Sequence, residues 1–190
     1  MRSKASKQGW SFASAVLILF VLAALPAFSQ APSGPPAPSP ELGKLAFFAG
    51  NWTCTGKAEE SPFGPAHATR AKVHVNKEIG GFWYVGRYEE TKTAENPHPV
   101  IFQFLQGYDG TAKAFVMECF DNFGSHCHST SAGWQDNKLV FTGEAAGSGP
   151  ATPVRDTFTK TGDAGLEHTG EFQMDGKWVI IGHETCKRAK

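Results

Sequence analysis

The chain has 190 residues, and its 18 Lys and Arg residues balance its 18 Asp and Glu residues. Without the three basic residues near the N-terminus the rest has a net charge of about −3, scattered rather than in blocks, which argues against nucleic-acid binding because that function needs a basic face. After its N-terminal segments the chain retains about 150 residues, enough for one domain with a real core.

The first 29 residues have the three parts of a secretory signal peptide. A basic opening (residues 2–7) precedes an unbroken apolar run from Ala15 to Leu25, and small residues lead to a predicted cleavage after Ser29. The run is too short for a membrane-spanning helix, which needs about 20 apolar residues. We therefore expect a secreted or periplasmic protein with no membrane association after cleavage; an uncleaved anchor is the alternative.

A linker and a helix are predicted before the main domain. Residues 30–39 contain four prolines and no large apolar side chain, which is typical of a tether. The remaining residues, 40–190, are predicted to form one domain. Ser39 and Pro40 are typical of a helix start, and Gly50 is the predicted end. The apolar positions at helical spacing are Leu42, Leu45, Ala46 and Ala49.

After Gly50 the apolar residues alternate with polar ones, as in half-buried strands. We predict ten strands, at about residues 51–59, 67–78, 82–91, 99–108, 112–120, 125–133, 138–144, 153–160, 165–173 and 178–187. The pairs Gly80-Gly81, Asp109-Gly110 and Asp175-Gly176 favour tight hairpins between them. Because no helix of crossover length separates the strands, we expect an all-β, antiparallel up-and-down barrel with a short N-terminal helix; a β-sandwich is the alternative.

Four cysteines in an exported domain favour disulfides over metal ligands or catalytic thiols. Three pairings are possible. The segment 121–125 resembles a short hairpin loop with Gly124 in the left-handed region, which would place Cys119 opposite Cys127. Cys54 and Cys186 would then join the first and last strands, which are neighbours only if the sheet closes into a barrel.

Several polar residues are candidates for a site. His126 and His128 share a strand face, but no third metal ligand is evident, so no metal site is predicted. His183 would place an imidazole inside the barrel if its face is inward. Arg87 and Arg155 could hold an anionic group at the mouth or interior, with surface ion pairs as the alternative.

Aromatic residues on consecutive strands supply the apolar part of the predicted ligand site. With the arginines and His183, the proposed ligand-binding set is Trp52, Trp83, Tyr84, Arg87, Phe102, Phe104, Arg155 and His183. The sequence contains no nucleophile elbow, phosphate-binding glycine loop or His-Glu-x-x-His motif, so a binding protein is favoured over an enzyme and no catalytic residue is assigned.

Four segments together carry a family resemblance: residues 45–52, 79–82, 107–110 and 183–188. They resemble an uncharacterised bacterial family of domains of unknown function, related in shape to the calycin barrels. Gly50-x-Trp52 is similar to the start motif of lipocalins, and its extension to Gly56 is similar to the haem-binding nitrobindins. The nitrobindin resemblance implies haem held by His183 as the alternative cofactor, with redox or nitrogen-oxide chemistry.

We therefore expect a monomeric or dimeric barrel that binds a small hydrophobic or amphipathic molecule and has no cofactor. Two alternatives stay open: a haem protein as described above, and an interaction module with a filled core and a functional surface.

Overall fold

Alternation of apolar and polar residues produces a closed antiparallel barrel. The computed structural model describes residues 34–62, 64–147 and 149–189, so the predicted signal peptide and the start of the linker lie outside the described residues. The described strands are β1 Gly50–Ala58, β2 His67–Glu78, β3 Trp83–Glu90, β4 Ile101–Asp109, β5 Ala114–Asp121, β6 His126–Ser131, β7 Lys138–Ala146, β8 Thr152–Lys160, β9 Gly165–Met174 and β10 Lys177–Arg188.

Each strand pairs with its neighbour along the chain, and β1 pairs with β10. The predicted up-and-down barrel is confirmed, and the alternative β-sandwich is wrong. Closure leaves no strand edge in the barrel unpaired, so neighbouring chains find no free edge to extend. Pro36–Lys190 forms one compact unit.

The hairpin turns follow local backbone chemistry. Asp175 and Gly176 both have positive φ angles, 48° and 74°, as a two-residue turn requires. Gly124 also has a positive φ of 87°, in the turn expected there. The tight turn expected at Asp109-Gly110 is wrong: the Asp109 carboxylate accepts hydrogen bonds from two backbone amides and organises a longer loop from Gly110 to Lys113.

The N-terminal helix is a 3₁₀ helix, Pro40–Phe48, with the Ser39 side chain accepting a hydrogen bond at its start. A 3₁₀ helix has three residues per turn, so its buried face repeats every third residue: Leu42, Leu45 and Phe48. The α-helical spacing expected from the sequence is therefore wrong at Ala46, which is exposed. A second short 3₁₀ turn, Ile79–Gly81, connects β2 to β3.

The 3₁₀ helix closes one end of the barrel and packs on the main core. The indole of Trp52 donates to the carbonyl oxygen of Phe48 at 2.8 Å, and the guanidinium of Arg188 lies over the Trp52 ring and donates to the Phe47 carbonyl. The buried residues of this end include Leu42, Leu45, Phe48, Trp52, Tyr84, Phe115, Met117, Leu139 and Phe141. This half of the barrel is filled by side chains.

Two disulfides cross-link the sheet. Cys54 is bonded to Cys186 across the β1–β10 seam, and Cys119 to Cys127 within the β5–β6 hairpin. Disulfides of this kind are typical of an oxidising, extracellular environment. Within the described part of the chain, no helix combines the length and the apolar character needed to cross a membrane.

The two disulfides should differ in their effect on stability. Cys54–Cys186 spans 132 residues and Cys119–Cys127 only 8, so loop-closure entropy gives about 5 kcal/mol for the first and about 2.5 kcal/mol for the second. Urea denaturation of the Cys54→Ala/Cys186→Ala and Cys119→Ala/Cys127→Ala pairs should show the larger loss of unfolding free energy in the first. Equal losses, or a larger loss in the second, would contradict this expectation.

Candidate functional site

The half of the barrel away from the 3₁₀ helix, here called the distal half, has a polar interior. The strand register directs five polar side chains inward at mid-height, above the packed core: Thr69 from β2, Tyr88 from β3, Asp156 from β8, His168 from β9 and Glu184 from β10. We call these five residues the interior polar cluster. They come from two sets of consecutive strands, β2–β3 and β8–β10, which are far apart in sequence and which closure of the barrel brings together.

Glu184 forms the centre of the cluster. One carboxylate oxygen, Oε1, accepts hydrogen bonds from the Thr69 hydroxyl at 2.8 Å and from the Tyr88 hydroxyl at 2.9 Å. Glu184 is only 7% exposed. A buried carboxylate is tolerated when it is hydrogen-bonded, and these two neutral donors supply that stabilisation.

Asp156 and His168 form an ion pair beside Glu184. The imidazole Nε2 lies 2.8 Å from Asp156 Oδ1, and the ring stacks on Phe158 with 4.7 Å between centroids. Burial lowers the pKa of His168, but the hydrogen bond to Asp156 and the negative charges of Asp156 and Glu184 outweigh it, so the pKa is raised. The imidazole is thus held toward its cationic form.

The phenol of Tyr88 is held in its neutral, proton-donating form. Burial is the largest cause that raises the Tyr88 pKa, followed by the charge of Glu184 and the hydrogen bond to it. The hydroxyl therefore remains a donor to Glu184 throughout the physiological pH range.

The Asp156–His168 pair is partly open to solvent. Although both side chains face inward, His168 is 28% and Asp156 25% exposed. Next to them the inward positions of β9 and β10 are occupied by the paired glycines Gly170 and Gly182. The Ile181 side chain lies against the first of these, with Cγ1 3.7 Å from a Cβ built on Gly170. A Cβ atom built on Gly182 would meet only the Lys57 carbonyl oxygen, at 3.7 Å. Solvent therefore reaches the cluster.

A second polar group lies at the same half of the barrel. His67 Nε2 is 3.0 Å from Glu90 Oε1, and Asn96 donates to Glu90 Oε2 at 2.8 Å. The backbone amide of Val100 also donates to this carboxylate, at 3.1 Å. Glu90 thus has partners on both oxygens and fastens the loop after β3 to the barrel.

The residues predicted as ligand contacts divide between the two faces of the sheet. Trp52 and Tyr84 point inward but belong to the packed core, whereas Phe102 and Phe104 point inward and are half-buried in the distal half. Four predicted residues point outward instead, so their expected interior role is wrong: Trp83, Arg87, Arg155 and His183.

Local contacts explain these outward positions. Arg87 pairs with Glu89 at 2.6 Å beside a shallow outer depression, and Arg155 forms two 2.6 Å hydrogen bonds with Glu171 under the Trp178 ring. The Trp83 ring covers the surface above Gly107, where a Cβ would lie 2.6 Å from it. The surface ion pairs considered for both arginines are therefore what the structure contains.

His183 is outward because of a β-bulge. The register shifts between Ile180 and Gly182, so Val179 and His183 lie on opposite faces rather than sharing one. His183 is exposed and lies 3.1 Å from the Thr169 hydroxyl. An outward histidine cannot hold haem iron inside the barrel; the inward residue here is its neighbour Glu184.

The possible metal ligands do not form a metal site. Among the described residues the one group with metal-ligand spacing is Cys54, Glu184 and Cys186, and its two sulfurs are bonded to each other. His126 and His128 are exposed on the outer face, where His128 pairs with Glu118 at 2.6 Å. A single carboxylate beside a disulfide offers too few ligands for a bound ion.

Comparisons with known proteins show family and fold. The model of a family described as "Protein of unknown function (DUF1579)" matches residues 37–188, and the chain belongs to this family. No curated protein matches it. A solved structure, that of Rv2717c from M. tuberculosis, is similar with a TM-score of 0.63 and 10% sequence identity, over 81% of this chain and all of the other. At this identity the similarity concerns the fold alone.

Tyr88 and Tyr108 provide a matched test of the hydrogen bonding in the cluster. Both rings are half-buried, but only the Tyr88 hydroxyl bonds to a described side chain, Glu184. Tyr88→Phe leaves a buried carboxylate short of a donor and should lower the free energy of unfolding by about 1–3 kcal/mol. Tyr108→Phe should change it by less than about 0.5 kcal/mol. Similar urea-unfolding losses in both variants would contradict the assignment.

The Asp156–His168 pair should make stability depend on pH. Because the pKa of His168 is raised in the folded state, its contribution is complete below the unfolded pKa of about 6.5 and is lost as pH rises through the folded value. The free energy of unfolding should therefore decline above about pH 6.5. His168→Asn and Asp156→Asn should each remove this part of the decline. An unchanged pH profile of stability in both variants would refute the assignment of this decline to the Asp156–His168 pair.

Proposed function

We propose that this member of the DUF1579 family binds a small amphipathic molecule inside the distal half of its barrel. The observation that carries the proposal is the interior polar cluster: inward, hydrogen-bonded polar groups, some buried and some partly exposed, beside two inward glycines. A calycin-like carrier, as in the lipocalins, is the functional comparison that this arrangement favours.

Energetics support a functional role for the cluster. Apolar residues of similar volume in a buried site are often as stabilising as an ion pair, or more so. The helix end of this barrel is packed with such apolar residues, and Phe141, Leu139 and Leu45 are almost fully buried there. Retaining Asp156, His168 and Glu184 in the interior therefore favours recognition of a ligand over simple packing.

Aromatic side chains would contact the apolar part of the ligand. Phe102 and Phe104 face inward from β4, 5.9 Å apart between ring centroids, and the Phe104 ring covers the inward side of Gly86. Phe172 faces inward from β9. Rings on one side and the polar cluster on the other would orient an amphipathic molecule. Binding is proposed rather than catalysis, since the sequence carries no recognised catalytic motif.

We also propose that the protein is exported and works in the periplasm or outside the cell. The basic and apolar segments within residues 1–29 and the two disulfides support this location.

A fluorescent probe tests binding in the interior. The neutral dye N-phenyl-1-naphthylamine should show saturable, 1:1 fluorescence enhancement with the oxidised protein. Gly182→Leu places a side chain in the interior and should weaken dye binding by about tenfold or more. Its control, Thr185→Leu, adds a similar side chain to the exposed face of the same strand and should bind the dye normally.

Two results would refute the proposal. One is the absence of saturable enhancement with the wild-type protein, which would favour a filled interaction module. The other is dye binding that survives in a folded Gly182→Leu variant but is lost in Thr185→Leu, because this would place the dye on the outer surface.

A further inference from the structure

We propose that the ligand of the distal half carries a protonated amine, which the free carboxylate oxygens of Glu184 and Asp156 bind. This inference rests on the proposed function and specifies its ligand class. Three features support it: the sign of the interior charge, the unused acceptor atoms, and the aromatic rings that face them.

The interior around the cluster is acidic. Glu90, Asp156 and Glu184 face inward, and no lysine or arginine lies with them among the described residues. The inward-facing Lys160 and Arg188 are at the helix end, where their charges lie over Trp134 and Trp52, respectively. Among the described residues, the basic groups beside these carboxylates are therefore the imidazoles of His67 and His168.

The carboxylates are compensated to different degrees. Glu90 has His67 beside it, and Asp156 has His168. Glu184 is bonded only by neutral hydroxyl groups, so the group formed by Asp156, His168 and Glu184 retains a negative charge even with the imidazole protonated. Because an unbalanced buried charge is costly, a cationic ligand would stabilise this group and an anionic ligand would be repelled.

Two acceptor atoms remain free to receive N–H donors. No described residue donates to Glu184 Oε2 or to Asp156 Oδ2. Within the described residues the buried atoms lacking a partner are Gln106 Oε1 and Ser129 Oγ, so both free carboxylate oxygens keep contact with the interior space. Glu184 is only 7% exposed, and an N–H donor of a ligand in the interior would supply the partner that its Oε2 lacks.

The remaining wall suits an organic cation better than a metal ion. Besides the carboxylates, the interior presents the rings of Tyr88, Phe102 and Phe104, which attract an ammonium group through their faces and contact an apolar body. A metal ion would need additional oxygen or nitrogen ligands, and these positions are occupied by rings and glycines.

Matched decyl compounds test the charge preference. Decylammonium, decanol and decanoate share an apolar chain and differ in the head group, so each is used below its micelle concentration to displace N-phenyl-1-naphthylamine at pH 6. We expect decylammonium to displace the dye at a concentration at least about tenfold below decanol, with decanoate the weakest.

Variants locate the preference at the cluster. Glu184→Gln should reduce the advantage of decylammonium over decanol about tenfold while the neutral dye binds as before. Glu118→Gln removes an exposed carboxylate on the outer face and should leave the advantage unchanged. If Glu184→Gln does not fold, the ranking of the three decyl compounds with the wild-type protein and the effect of Asp156→Asn on the decylammonium advantage test the inference instead.

The outcomes separate the two proposals. If the dye binds but the three decyl compounds compete equally, or decanoate competes best, the amine inference is overturned and the binding function stands. If Glu118→Gln removes the preference and Glu184→Gln does not, the cation binds outside the barrel and the inference is also overturned. Absence of saturable dye binding refutes the binding function itself.

Discussion

Pairing of the first strand with the last is the constraint on which the rest of the structure depends. It places Cys54 opposite Cys186, and two residues further along it places Gly56 opposite Glu184. The strands approach so closely here that a Cβ on Gly56 would lie 2.0 Å from the His183 carbonyl oxygen. The same seam therefore closes the sheet, aligns the long disulfide and carries the Glu184 carboxylate inward to Thr69 and Tyr88.

The barrel is divided into halves that satisfy different physical demands. The helix end buries large apolar side chains and supplies most of the stabilising core, with Leu45, Leu139 and Phe141 almost fully buried. The distal half encloses charged groups, which contribute less to stability when buried. Stability from the filled half and from the Cys54–Cys186 disulfide allows the other half to keep polar groups in its interior.

Most of the fold could be predicted from the sequence because its determinants are local. Period-2 alternation located the ten described strands to within a few residues, and Gly124 and Asp175-Gly176 marked two of the turns.

The site depends on which face of each strand is inward, and this is a global property of the closed barrel. The bulge after Ile180 places His183 on the face opposite to the expected one, and the local sequence pattern does not predict this bulge. One sequence signal did point to the site: Glu184 lies two residues before Cys186, so both side chains share one face of the strand.

The inward positions of Asp156 and His168 follow from register rather than from any motif. The inward faces of these strands combine apolar residues such as Val154 and Leu166 with the polar pair, and no known motif marks that pair as a site. Closure of the barrel turns this face toward the interior. Its polar groups then satisfy one another, as Asp156 does His168, whereas the hydrogen bonds that Glu184 accepts from described residues come from the hydroxyls of Thr69 and Tyr88. The geometry that completes the fold is thus also what places the Glu184 carboxylate where the proposed cationic ligand would bind.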